Sequence, residues 1–430
     1  MFDNIPAEQI KYIFEKTDDA VCVVSSTGVL LESNPSAEKL FGITAEGDIK
    51  IWDAIPFVEG NDDLIQLFID AVAQKLSSQE AVVDYVKEDG TVHNLHVRLT
   101  YFKEPLTAYL IVITDLTKLI QVKSAFARYT SPDIADYVLT TAEGQKRGGL
   151  TSEVTIMMSD LRGFTALATT MSAQRLINLL NHYFEIMVSV IEKYHGTVIE
   201  FLGDGIFIVF GAPKEWPGHA SLAVKCAVGM QNAMIGVNEW NRENGYPDLE
   251  MGIGVNSGNV VVGNIGSDKK MKYGCMGSPV NTAGRLEALT VGGQILITEN
   301  TRRLLDESIK YVSEGAFLPK GSANELKYYE VTGIGDLSLD LHHEEIIWLD
   351  DDEDCAFFLL KEKTVVEEEH SGKIFKHSAD NRYAMFSADI ELGDRQNILI
   401  CRNGERKYAK VIAHDNEGYR ICFTSVTQGH

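Results

Sequence analysis

Ser159-Asp160-Leu161-Arg162-Gly163-Phe164-Thr165 follows a hydrophobic strand that runs from Val154 to Ser159. An acidic residue closes the strand, and a glycine-bearing turn leads towards a helix. A second acid, Asp204, sits in Phe201-Leu202-Gly203-Asp204-Gly205-Ile206-Phe207, where a tight turn joins Thr197 to Leu202 and Ile206 to Phe210. Flanking glycines let the backbone turn sharply and approach a ligand closely. If the two strands are neighbours, both carboxylates lie at one end of a sheet. Two carboxylates from separate loops, with room left for phosphate oxygens and water, match the way Mg²⁺ is held at phosphoryl-transfer sites. Taken alone, each Asp is more often a turn residue than a ligand.

A third stretch lies further along. Asn281-Thr282-Ala283-Gly284-Arg285-Leu286-Glu287 begins a helix after Gly277-Ser278-Pro279. Asn281 and Arg285 are four apart and share one helix face. An amide beside a guanidinium can orient a ribose and neutralise a phosphorane-like charge. The plainer reading is a surface Asn and an Arg paired with Glu287 or a nearby acid. Between these motifs, Leu176, Leu179, Leu180, Tyr183, Met187, Val190 and Ile191 form the apolar face of a long helix, with Ser172 placed as its N-cap. The order of elements over 153–335 fits an α+β layer with helices on one side of an antiparallel sheet.

On either side the pattern changes. Residues 1–115 alternate short β runs with polar turns, and Asn34 to Phe41 and Asp62 to Leu76 read as helices. Over 116–152 a helix comes first, with Leu116, Leu119, Val122, Phe126 and Tyr129 spaced like a coiled-coil seam. Ser131-Pro132 then restarts the helix, and 142–152 reads as a polar linker. Residues 345–430 form a smaller β-rich block with Asn403-Gly404 as a hairpin signal. The run Asp350-Asp351-Asp352-Glu353-Asp354 reads as a solvated linker, because consecutive residues cannot all face one ion.

The whole chain has 430 residues and a net charge of 39 − 62 = −23. So acidic a surface argues against nucleic acid and anionic membranes as partners. No uncharged apolar run approaches the ~18 residues that span a bilayer. The six cysteines are scattered, with no Cys-x-x-Cys pair, which points to reduced thiols and a cytoplasmic location.

Together the three motifs, in this order, resemble the class III nucleotidyl cyclases over about 180 residues. The resemblance implies a ferredoxin-like catalytic domain that works as a homodimer, with each active site at the interface. It assigns Asp160, Leu161 and Asp204 to two divalent cations, Mg²⁺ or Mn²⁺, on one protomer. Asn281 and Arg285, from the other protomer, are assigned to transition-state stabilisation. Lys320, in Pro319-Lys320-Gly321, matches the family's phosphate-binding lysine. The domain 1–115 resembles a PAS sensor, which would set how two catalytic domains face one another through the helix that follows. The sequence does not name its ligand. His93 and His96, read as sharing one strand face, are candidate haem ligands, with an ordinary strand face as the alternative. The 345–430 block resembles a degenerate PilZ-like barrel without that family's basic nucleotide-binding motif.

Two positions select the base in this family. The first is Glu200, where guanylyl cyclases carry glutamate and adenylyl cyclases lysine. Guanine offers N1–H and the 2-amino group as adjacent donors, and one carboxylate accepts both. Adenine's N1 is an acceptor, which a carboxylate repels. The second is Gly274, where the family places cysteine for GTP and aspartate or threonine for ATP. Glycine matches neither, and Cys275 next to it would face the other way on a strand. The expectation is therefore cyclic GMP from GTP, with cyclic AMP from ATP as the alternative. A non-catalytic scaffold would have lost these residues, and the Gly-Gly-(Asp/Glu)-Glu-Phe signature of diguanylate cyclases is absent.

Overall fold

Hydrophobic alternation in the first hundred residues builds an antiparallel sheet. In the computed structural model the described residues are 6–43, 48–104, 106–318, 325–340, 347–361, 364–379, 381–393, 395–402, 404–415 and 417–427. They divide into two units, Met1–Tyr129 and Thr130–His430. The first contains α1 (Ala7–Lys16), β1 (Ala20–Ser25), β2 (Leu30–Ser33), α2 (Pro35–Phe41), α3 (Asp62–Gln74), β3 (Ser78–Val86), β4 (Val92–Phe102), β5 (Ala108–Asp115) and α4 (Thr117–Tyr129). Strand order is β2-β1-β5-β4-β3, every pair antiparallel. Asn34 ties helix to sheet: its side-chain oxygen accepts from Ala37 N and Val21 N, both at 2.9 Å. That satisfies an orphan N–H of the first helical turn. Leu64, Phe68, Tyr85, Leu95 and Tyr109 fill the core.

His93 and His96 do not share a face. Three residues apart on a regular strand, they point to opposite sides. His93 Nδ1 lies 2.8 Å from Asp115 and His96 Nε2 lies 2.6 Å from Glu80. The helix α4 has no buried residue, and Leu119, Val122 and Tyr129 of its seam are exposed.

The second unit opens with α5 (Pro132–Thr140), capped by Ser131, whose hydroxyl accepts from Ile134 N at 3.3 Å. There follow β6 (Gly148–Leu161), α6 (Phe164–Thr170), α7 (Ala173–Lys193), β7 (Thr197–Leu202), β8 (Gly205–Phe210) and α8 (His219–Glu243). Next come β9 (Met251–Ser267), β10 (Lys270–Met276), α9 (Ser278–Leu289), β11 (Ile295–Thr298), α10 (Glu299–Arg303), β12 (Ile309–Phe317), β13 (Leu326–Ile334) and β14 (Leu337–Ser338). The sheet runs β12-β13-β11-β9-β6-β8-β7.

Two expectations are corrected here. The sheet is mixed, because β11 pairs parallel with β9. It is also covered on both sides. Odd-numbered residues of β9, such as Ile253 and Val255, pack with Leu179, Tyr183, Met187 and Ile191 of α7 and with α8. Even-numbered ones face α9: Asn256 Nδ2 donates to Pro279 O at 2.9 Å. Strand β6 begins at Gly148 because Gly148–Leu161 pairs residue by residue with β9, so 148–152 is strand rather than linker. Ser172 does precede α7, but its side chain makes no capping bond. By length and composition α8 could cross a membrane; here most of it is buried, with Val224, Ala227 and Val228 in the core.

The chain ends in β15 (Trp348–Lys361), β16 (Thr364–Ser378), β17 (Tyr383–Ala388), β18 (Asn397–Arg402), β19 (Glu405–Asp415) and β20 (Gly418–Thr427), a closed barrel in the order β15-β16-β17-β20-β19-β18. The acidic run 350–354 is part of β15, not a linker. Cross-strand cations offset its charge: Arg402 reaches Asp351 at 3.5 Å and Glu353 at 3.2 Å, and Lys373 pairs with Asp352. Three barrel cations reach the mixed-sheet domain. Arg382 lies 2.9 Å from Glu250 and donates to Gly292 O at 2.9 Å. Arg395 donates to Gln294 at 3.1 Å and lies 3.6 Å from Glu330. Lys410 Nζ donates to Ala288 O at 2.5 Å and Thr290 O at 3.0 Å.

Candidate active site

The antiparallel pairing of β6 with β8 sets Ser159 opposite Ile206, and the β7–β8 turn lies beside the end of β6. Asp160 and Asp204 therefore come to one sheet end, within hydrogen-bond reach of each other. Leu161 N–H donates to Asp204 Oδ2 at 3.2 Å. Partial burial raises the Asp204 pKa, while hydrogen bonds and the Arg162 charge pull it down. Gly205 keeps the place clear: a Cβ there would sit 2.7 Å from Ser159 O and 3.2 Å from Asp160 Oδ1.

The donor set is all oxygen, two carboxylates with the Leu161 main chain beside them, and suits a hard cation such as Mg²⁺. Two adjacent like charges, one of them partly desolvated, also need an opposing charge to remain ionised together. The residues present fit divalent cations. Two carboxylates do not close a coordination shell. Among the described residues no cluster of three His, Cys, Asp or Glu side chains forms a protein-only cage.

Asn281 and Arg285 lie on α9, and among the described residues neither side chain has a hydrogen-bond or ion-pair partner. Glu287 pairs instead with Arg162, from the turn after Asp160. Arg162 is the residue that sequence reasoning passed over inside its own motif. Its guanidinium feels Asp160, Asp204 and Glu250, and burial lowers its pKa. The structure thus links the acidic loop to α9 through one ion pair.

Glu200, on β7, reaches β10 and pairs with Lys272 there. Gly274 lies two residues along the same face, buried, with Ile265 Cδ1 at 3.2 Å from where a Cβ would be. Cys275 points the other way, into a cluster with Ile134, Tyr137 and Tyr273, and burial lifts its thiol to about 11. The Glu200–Lys272 pair thus brings the first base-selecting position to the strand that carries the second, 74 residues away in sequence. Lys272 was not singled out from sequence; its parity with Gly274 was the available signal. Lys320 lies outside the described residues.

The family model for the adenylate and guanylate cyclase catalytic domain matches residues 149–333. These residues belong to the class III adenylate and guanylate cyclase family. Over this nucleotide cyclase catalytic domain the chain resembles both kinds of enzyme. It is 42% identical to the guanylyl cyclase Cya2, covering 45% of this chain and 99% of that one, with a TM-score of 0.44. It is 32% identical to the adenylyl cyclase CyaB from P. aeruginosa, covering 44% of this chain and 97% of that one, with a TM-score of 0.41. It is 28% identical over 211 residues to adenylate cyclase 1 of Rhizobium meliloti, covering 49% of this chain and 32% of that protein. The chain thus spans about a third of that relative's length. As a cyclase domain, residues 149–333 are the catalytic part of a phosphorus–oxygen lyase.

Proposed function

We propose that this chain is a homodimeric guanylyl cyclase, converting GTP to cyclic GMP and pyrophosphate. The observation that carries the choice of base is the Glu200 carboxylate, which pairs with Lys272 two residues before Gly274 on β10, while Gly274 itself rejects neither base. In the reaction the ribose 3′-oxygen bonds to the α-phosphorus, the bond from that phosphorus to the bridging oxygen breaks, and the hydroxyl proton passes to water. Asp160 and Asp204, with the Leu161 main chain, would hold two divalent cations. When bound, these acidify the 3′-hydroxyl and neutralise the triphosphate. Asn281 orients the ribose, and Arg285 offsets the charge that develops on phosphorus. Attack within one molecule makes positioning a large part of the rate. That neither side chain has a partner among the described residues of its own subunit supports their acting across the interface. The exposed Phe201, Leu202, Val261 and Met276 support a second copy as the interface partner.

Strand order 2-1-5-4-3 supports a PAS-like reading of the first unit. The exposed seam of α4 supports a two-chain coil that conveys its state to the catalytic pair.

Lys272, the partner of Glu200, keeps ATP as a second reading, because its ammonium can donate to adenine N1 as well as to guanine O6. Product analysis of the purified chain with GTP or ATP and Mg²⁺ or Mn²⁺ separates the two. Glu200→Lys should shift the kcat/KM ratio away from GTP by on the order of 10- to 100-fold, the effect of one mismatched polar contact covered by the bound base. An unchanged GTP/ATP ratio would defeat the base assignment.

A further inference from the structure

Helix α9 carries Asn281 and Arg285, and its C-terminal end is held from outside the cyclase domain. Lys410, on strand β19 of the barrel, donates to the carbonyls of Ala288 and Thr290, which end that helix. Free carbonyls and the negative end of the helix dipole attract a cation. The side chain is only 3% exposed, and among the described residues no carboxylate pairs with it. A buried ammonium with carbonyl partners alone is a costly arrangement for a fold to keep. Burial, with Arg162 and Arg395 nearby, pulls its pKa down to about 7, against the pull of Cys422. Methionine, of similar length and apolar, would fill the same space without that cost. The barrel reaches the other arm of the site too: β20 packs beside α6, the helix that follows the Asp160 loop. Arg382 and Arg395 grip Gly292 and Gln294, in the turn just beyond α9.

We propose that Lys410 is a positioning residue for the cyclase reaction, holding the C-terminal end of α9 so that Asn281 and Arg285 are presented at the angle the transition state requires. The barrel is then a structural arm of the active site. The inference rests on the cyclase reading, and its test separates the two.

Lys410→Met in the full chain is the central variant, with Lys410→Gln, which keeps a donor, as the second. Positioning predicts a kcat lower by between about 10- and 100-fold for Lys410→Met, the scale of a displaced catalytic group. KM should stay within about twofold, because ground-state binding is untouched. The melting temperature should hold or rise, since an unpaired buried charge has been removed. Amide exchange over 285–290 should quicken, and Lys410→Gln should recover part of both losses. Where Lys410→Met does not fold, Lys410→Gln is read against wild type in the same way. A merely structural lysine would lower the melting temperature and leave kcat per folded molecule unchanged, which overturns the proposal. Unchanged exchange over 285–290 overturns it too. A wild-type chain silent with both nucleotides brings down the cyclase reading and this inference with it. An active wild type with an equally active Lys410→Met brings down this inference alone.

Discussion

Asp204 illustrates how a carboxylate proposed to hold metal can burden its own fold. Its pKa is raised by burial, so the folded chain holds that proton more tightly than the unfolded chain does. Such a group adds stability below the unfolded carboxylate pKa and loses it as pH rises through the folded value. At neutral pH, without metal, an amide in its place should therefore stabilise. Asp204→Asn is expected to raise the metal-free melting temperature. The same variant should abolish turnover and erase the thermal shift that Mn²⁺ produces in wild type. A melting temperature for Asp204→Asn that still climbs with Mn²⁺ would count against the assigned ligand. The approach of Asp160 to Asp204 was legible in sequence because each sits in a short motif whose local geometry is set by neighbouring glycines. Lys272 with Glu200, and Arg162 with Glu287, were not. Which charges pair across 72 or 125 residues depends on sheet order, which local pattern does not encode.

At the scale of elements, α7 shows what periodicity reads well. Leu179, Tyr183, Met187 and Ile191 recur every four residues, and all four are fully buried. The β9–β10 hairpin shows what it reads poorly. Met251–Ser267 holds five glycines, whose missing side chains blur the alternation that marks a strand. The extent of β6 was lost for the same reason, since Gly148 and Gly149 look like linker until β9 is there to pair with them. Helix α8 supplies a pH test. His219, its first residue, places Nδ1 2.8 Å from Thr155 Oγ1, and burial lowers its pKa, with Glu153 opposing. Below about pH 6.5 the unfolded chain therefore binds more protons than the folded one. Stability should fall as pH drops through that window and recover as it rises. His219→Asn should flatten the difference between urea midpoints at pH 5.5 and 7.5. A slope equal to wild type would show that other groups carry the dependence.

For the molecule as a whole, the proposed division of labour between subunits can be read directly. Subunits carrying Asp160→Ala and Asp204→Ala keep Asn281 and Arg285, and subunits carrying Asn281→Ala and Arg285→Ala keep the acids. Each homodimer should be silent. A heterodimer, isolated through two different tags, assembles one intact site of two and should regain roughly half of wild-type kcat per dimer, as a two-fold interface requires. Silence in the isolated heterodimer would mean that both sets of residues serve the same subunit. The strands of the first unit and the β-rich character of the C-terminal block follow from β patterning. That the barrel would lean on the end of α9 does not, because its cations are scattered over positions 382, 395 and 410 and meet only once the barrel closes.

Helix α9 also lies directly on main chain. At Gly254 an added Cβ would overlap the backbone nitrogen of Glu287 and come within 2.8 Å of Ala283 O. Its height above the sheet is thus a hard stop rather than a spring. Any push delivered to one end must rock the helix about that fulcrum, like a seesaw. Arg285 lies between the two contact points and Asn281 half a turn before the first, so a helix seated this way hands a displacement at its end on to both side chains instead of absorbing it.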